Sequence, residues 1–343
     1  MGTYLTDLLR LESNGRSRIV TTPADWAEKV ADIRRRMAPV LGRGAERVPP
    51  LAYEGHEEVR CEGYVRRLVS YAVEEDERVR AYLLVPDAGS TPTSLARPAM
   101  VCLHQTVPEG KREPAGLGES DEKAYAHHLA QRGYVCLAPD HVAAGDRIAP
   151  ELQAYDTSAF YRKHPGWSAV GKAIWDAARA VDLLVSLPEV RADRIGVIGH
   201  SLGGHGAIFA AAFDERIRAC VSNCGLTTFA DNPGRLAWAR DGWYVYLPAL
   251  RQRFLADLPA PFDLHEMVAL IAPRPFLNIS SLTDTGMSVS DRALVELATQ
   301  ALGVWRLLGA GEDFAAYFHD RGHSFPPESR ALAYAWLDSH LMT

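Results

Sequence analysis

The chain has 343 residues, with 37 Lys+Arg against 43 Asp+Glu and a formal charge of −6 when histidines are neutral. Apolar residues make up 47% and charged residues 23%, ordinary values for a globular chain long enough to bury its core without a disulfide or metal staple. This excludes a disordered tail, a small disulfide scaffold and a fibrous repeat, and the mildly acidic balance speaks against a nucleic-acid partner.

The N-terminus, MGTYLTDLLRLESNGR, lacks a basic start followed by an unbroken apolar core, so no secretory signal is expected. No apolar run reads as a bilayer span, and the expectation is a cytoplasmic protein with no membrane partner. From Pro23 to Leu41 the apolar residues Trp26, Val30, Ile33, Met37 and Leu41 recur every three or four positions, which predicts a helix. Arg34-Arg35-Arg36 lies on it beside Glu28 and Asp32 and reads as a solvated face. Pro49-Pro50 ends this unit, and residues 1–63 are taken as a helical extension packed on a main domain of residues 64–343. That helix could cover the domain or reach a second copy, which leaves a homo-oligomer open. Two strands follow, Tyr64–Val73 and Arg78–Val85, joined by the acidic turn Glu74-Glu75-Asp76-Glu77.

Beyond the turn, short apolar runs alternate with helical stretches. The runs are Ala99–Leu103, Tyr134–Ala138, Ile195–Ile198, Ala219–Ser222, Phe276–Ile279 and Phe314–Phe318. The helices lie near Asp121–Arg132, Ala169–Leu187, Leu202–Phe213, Ser288–Leu308 and Glu328–Leu341. Runs without alternation are strands buried on both faces, as in a parallel sheet covered by helices, so one long α/β domain is expected. Three connections are long: Gln105–Ser120, His141–Trp167 and the aromatic-rich Gly225–Glu266, the last a candidate cap or pocket wall. Of the five cysteines, Cys102 and Cys136 sit in apolar runs as core thiols. Neither they nor Cys61, Cys220 and Cys224 form a CxxC, so a reducing compartment and no metal centre are expected.

The sharpest signal is Arg194-Ile-Gly-Val-Ile-Gly199-His200-Ser201-Leu202-Gly203-Gly204. An apolar strand runs into Gly-x-Ser-x-Gly and a helix starts at once, which forces the Ser201 hydroxyl outward at the sheet edge. Gly199 and Gly203 are required where a side chain would collide across the turn. A serine needs a base, and the base an orienting acid, in the chain order Ser, acid, His. His323 follows the last strand and precedes the terminal helix, and is preferred to His319, which lies nearer the strand. Asp284 is the first carboxylate after Phe276–Ile279, and is preferred to Asp291, which falls in the next helix. His200 is assigned no catalytic role. The backbone N–H groups of Leu202 and of Thr106, or less favourably Gln105, are the candidate oxyanion donors.

With these residues the chain resembles the α/β-hydrolase superfamily, and within it the acetyl-xylan-esterase and dienelactone-hydrolase-like branch. Further matching stretches are Arg80–Pro86, Arg132–Asp140, Trp175-Asp176 and Ala272–Pro275. Two departures stand out: Ser201 occupies the place of the cysteine nucleophile of dienelactone hydrolases proper, and Gln105 replaces the glycine that usually follows the histidine at 104. The resemblance implies a mostly parallel eight-stranded sheet with its second strand antiparallel, and no cofactor. It implies hydrolysis of a small carboxylic ester or lactone through an acyl-enzyme. Alternatives within the fold are a peptidase or amidase, an acyl transfer or a C–C bond reaction; outside it, a binding module that keeps the scaffold. Gln105, Trp243, Tyr244 and Tyr246 are candidate substrate contacts, and Lys111, Arg112, Arg235 and Arg240 candidate partners for a carboxylate.

Overall fold

The computed structural model describes residues 5–13, 15–87, 96–230, 232–286 and 289–343. Met1–Tyr4 of the N-terminal reading and Ser288, the expected start of a helix, lie outside the described residues. A two-stranded hairpin, β1 (Arg10–Ser13) and β2 (Arg16–Ile19), precedes helix α1 (Pro23–Leu41). α1 has the expected bounds because Thr22 and Asp25 close a capping box at its start and Gly42, at φ 82°, ends it. The chain continues through β3 (Glu54–Cys61), β4 (Tyr64–Glu74), β5 (Glu77–Pro86), β6 (Arg97–Leu103), α2 (Tyr125–Gln131) and β7 (Val135–Pro139). Then come α3 (Ser158–Lys163), α4 (Ala169–Ser186), β8 (Val190–His200), α5 (Leu202–Phe213) and β9 (Ile217–Asn223). The last part holds α6 (Arg251–Leu255), α7 (Leu264–Ala269), β10 (Phe276–Ser281), α8 (Asp291–Leu307), β11 (Phe314–His319) and α9 (Pro327–Leu341).

Among the described residues, nine strands form the main sheet in the order β11-β10-β9-β8-β6-β7-β5-β4-β3. That is one strand more than the resemblance implies. The addition is β3, an edge strand antiparallel to β4, with a register shift between Gly55 and Glu57. Among the described residues of 1–63, α1 is the one helix. As expected, β5 runs antiparallel to both of its neighbours, while β6 to β11 are mutually parallel.

Alternate side chains of the central strands feed two cores. Ala99, Val101 and Leu103 of β6 join the cluster under α1, α4, α5, α7 and α8, while Met100 and Cys102 join the one under α2 and α9. Both faces are apolar, which is why these strands read as continuous runs. The N-terminal segment belongs to the first core through Leu8, Trp26, Ile33 and Met37, and Arg36 fastens it by an ion pair of 2.5 Å to Glu266. Among the described residues no helix is long and apolar enough to cross a membrane.

The acidic turn is not merely a surface feature. Lys172 of α4 is fully buried and pairs with Glu74 (2.8 Å), Glu77 (3.0 Å) and Asp176 (2.7 Å). Arg147 pairs with Glu77 (2.6 Å) and Asp176 (2.7 Å). This charge cluster fixes the β4–β5 hairpin to α4.

β7 lies on one side of β6 and β8 on the other, so the strand order reverses at β6. Loops leaving the carboxyl ends of β6 and β8 part there and open a crevice, the usual place for a ligand in such sheets.

Candidate active site

Ser201 sits in that crevice between β8 and α5, with φ 55° and ψ −117°. A non-glycine residue in the left-handed region is strained, and the surrounding contacts hold it there. Its N–H donates to the Asn223 carbonyl of β9 (2.9 Å), and its own carbonyl accepts from His205 N–H (2.9 Å). The glycines are needed for contact: a Cβ on Gly199 would fall 2.1 Å from the Gly203 carbonyl oxygen, and one on Gly203 would fall 1.8 Å from that of Leu103.

His323 and Asp284 are brought together as expected. His323 Nδ1 and Asp284 Oδ2 are 2.7 Å apart. Burial pushes the Asp284 carboxyl up, but the hydrogen bond and charge of His323 outweigh it, so the group stays below the usual carboxylate range. Gly286 N–H also donates to Asp284, at 2.7 Å. The pair lies beside the serine turn: the His323 ring centre is 4.7 Å from that of His200, and Gly286 lines the cavity into which Ser201 opens. Among the described residues the Ser201 side chain makes no hydrogen bond. Contacts of this kind are often loose in free enzymes and tighten with substrate. Of the rivals, His319 accepts from Arg321 N–H at 3.1 Å at the end of β11, and Asp291 opens α8.

The cavity has a volume of about 230 Å³. Thr106 and Leu202 line it with Ser201, and Trp243, Tyr244 and Tyr246 form part of its wall together with Trp238. All four aromatic residues come from the long connection after β9. Gln105 is a correction: it does not line the cavity, because its side-chain amide donates to the buried Glu113 carboxylate at 2.6 Å. Its carbonyl accepts from Tyr155 Oη at 3.0 Å and from His104, whose Nδ1 lies 2.7 Å away. The glutamine that replaces the usual glycine is thus tied back into the loop. All five cysteines are free, and Cys102 and Cys136 are buried as expected. Cys224 lies beside the site, its Sγ and donor atoms of Asp284 and His323 all within 4.8 Å of one another.

One functional residue escapes the sequence reading. Asn223 is fully buried at the end of β9. Its side-chain amide donates to His200 Nδ1 (2.6 Å) and to the Ser324 carbonyl (3.0 Å), while its own carbonyl holds Ser201. One side chain therefore joins the serine turn to the histidine loop. The available signal is a polar residue closing the apolar run Ala219–Ser222 at the sheet's carboxyl edge. Burial, and next the neighbouring His323, keep His200 neutral, so it can accept this bond. Asn223→Ala is expected to lower kcat roughly 10²-fold with little change in KM, since small misplacements at a reacting centre have effects of that size. Steady-state kinetics on one ester, with a melting curve as control, checks it; an unchanged kcat removes Asn223 from this role.

The fold and the serine turn are those of an α/β-hydrolase. The chain belongs to the Abhydrolase family, whose model matches residues 15–321. It is similar to the putative hydrolase YtaP of Bacillus subtilis (strain 168), at 29% identity over 258 residues, covering 74% of this chain and 81% of that one. It is 26% identical over 193 residues to a 4-O-methyl-glucuronoyl methylesterase of Phanerochaete carnosa, covering 51% of this chain but only 47% of that protein. Among solved structures, a glucuronoyl esterase from Solibacter usitatus superposes with a TM-score of 0.76 at 19% identity, covering 99% of this chain and 98% of that one, a likeness of fold.

Proposed function

We propose that Ser201 is the nucleophile, His323 the general base and Asp284 its orienting acid, acting on an ester borne by a sugar or sugar acid. The observation that carries the mechanism is the 2.7 Å contact between His323 and Asp284 beside a strained serine turn. An ionised Asp284 fixes the proton on Nδ1 and leaves Nε2 to take the Ser201 proton as Oγ attacks the ester carbonyl. The carbonyl oxygen becomes an oxyanion facing the N–H groups of Leu202 and Thr106, the first at the positive end of α5. His323 then protonates the departing alcohol and activates the water that releases the acid.

The carbohydrate assignment is supported by the aromatic wall and by relatives named as glucuronoyl methylesterases. Residues 225–266 act in this reading as the cap that gives the cavity its wall. The test is a panel of methyl glucuronate, acetylated xylose and simple alkyl esters matched for leaving group. Higher kcat/KM on either sugar substrate is expected; a clear preference for plain alkyl esters would overturn the carbohydrate assignment. A phosphonate ester probe should form its adduct at Ser201, read by peptide mass spectrometry.

A further inference from the structure

The cavity beside Ser201 is walled by neutral groups with one exception. Among the described residues that line it, Arg240 is the one that carries a formal charge at neutral pH, and no carboxylate lines it. His205, the other basic side chain there, is neutral: burial, followed by repulsion from His323, pushes it down to about 3.

In a chain where acids outnumber bases by 43 to 37, Arg240 has no acidic partner among the described residues, although its neighbours do. Arg235 pairs with Asp257, and Asp241, next in sequence, pairs with Arg251 at 2.6 Å. Lys111, another candidate from the sequence, is buried between Asp140 and Asp146, each at 2.7 Å, and Arg112 lies outside the cavity lining. The structure thus sorts four candidate cations down to one.

Arg240 is also propped in place. Its guanidinium lies 5.3 Å over the centre of the Trp243 ring, and that ring is anchored by a 2.9 Å hydrogen bond from Nε1 to the Ala154 carbonyl. Trp243 and Tyr244 are both left-handed, with φ of 31° and 51°. Two consecutive bulky residues in that conformation are costly, and such strain gathers where a wall must face a ligand. A guanidinium offers a planar fork that matches a carboxylate, and its attraction is stronger against an aromatic wall than in open water.

We infer that Arg240 binds a free carboxylate on the substrate, separate from the ester that Ser201 attacks, so that the preferred substrates are acidic esters. Half-esters of dicarboxylic acids and ester-bearing sugars with a second, unesterified acid group belong to this class. The inference rests on the ester-hydrolase reading and goes beyond it in naming the charge of the substrate.

Two matched pairs test it and separate the side of the ester that carries the acid. Monomethyl glutarate against methyl valerate places the carboxylate on the acyl side; 4-acetoxybenzoate against 4-acetoxybenzamide places it on the leaving group. The wild type should favour the acidic member of at least one pair by roughly ten- to hundredfold in kcat/KM, the range expected of a hydrogen-bonded charge pair. In Arg240→Ala that ratio should fall to near one, and Arg240→Lys should keep part of it. Because each ratio is taken within one protein preparation, a loss of folded enzyme cancels. A wild-type ratio of one or less in both pairs, or a ratio that survives in R240A, overturns the anchor while hydrolysis of the neutral esters upholds the esterase. Failure to cleave any of the four overturns both.

Discussion

Replacing Ser201 by alanine is expected to lower kcat for ester hydrolysis by roughly 10³- to 10⁶-fold while the fold stays intact. The magnitude follows from the loss of the covalent step: without Oγ, His323 can only direct water at a carbonyl still held by the backbone donors. Leu202 N–H belongs to the serine turn, which Ser201→Ala leaves in place through the 2.9 Å bond from residue 201 N–H to the Asn223 carbonyl, and Thr106 N–H belongs to the separate loop after β6. Circular dichroism and the melting midpoint should therefore match the wild type, and the phosphonate adduct should vanish. A purified S201A protein that turns over ester at the wild-type rate would remove Ser201 from the chemistry. The S201A,N223A double variant should be scarcely slower than S201A, because positioning a missing nucleophile has no further effect.

The second large effect concerns stability. Lys172→Met keeps the length of the side chain and removes its charge, leaving the buried Glu74 and Asp176 and the half-buried Glu77 around an uncharged group. Breaking a buried ion cluster in this way costs about 3–5 kcal/mol, which a lowered urea midpoint at pH 7 would show. The pH dependence has a definite sign. Burial pushes the Glu77 carboxyl up, but Arg147 and Lys172 together hold it far below the usual carboxylate range. A carboxyl depressed in the folded state stabilises it above its unfolded value, near 4.3 for an ordinary glutamate, and that contribution is lost as pH falls towards the folded value. The gap between wild type and K172M should accordingly narrow as the pH drops below about 4. Equal midpoints at pH 7 would show that the ammonium is not what holds these acids.

What could be read in advance, and what could not, divides along a physical line. The central strands and the serine turn are local: Gly199, Ser201 and Gly203 announce a tight strand-to-helix bend within a few positions. Burial on both faces makes the strands continuous apolar runs. His323 and Asp284 follow from chain order. β3 was not legible, because Glu-Gly-His-Glu-Glu-Val-Arg-Cys has neither an apolar run nor an alternation, its side chains being almost all exposed. Contacts between distant segments were equally hidden. Nothing in the sequence around Lys172 announces its pairing with Glu74 and Glu77, which arrive from about a hundred positions earlier. Gln105 reads as a pocket residue until Glu113 captures its amide. Asn223 matters because of Ser324, which lies on another strand's loop. Pairwise partners of this kind leave no trace in composition or periodicity.

The outermost strand has a further meaning for how molecules meet one another. β3 presents exposed Glu54, Glu57 and Glu58 along the open margin of the sheet, and the irregularity after Gly55 breaks its hydrogen-bonding rhythm. An identical margin brought alongside would set carboxylates against carboxylates on a ladder whose spacing does not match. The molecule is thereby guarded against growing edge to edge into a continuous ribbon, the route by which unprotected sheets precipitate.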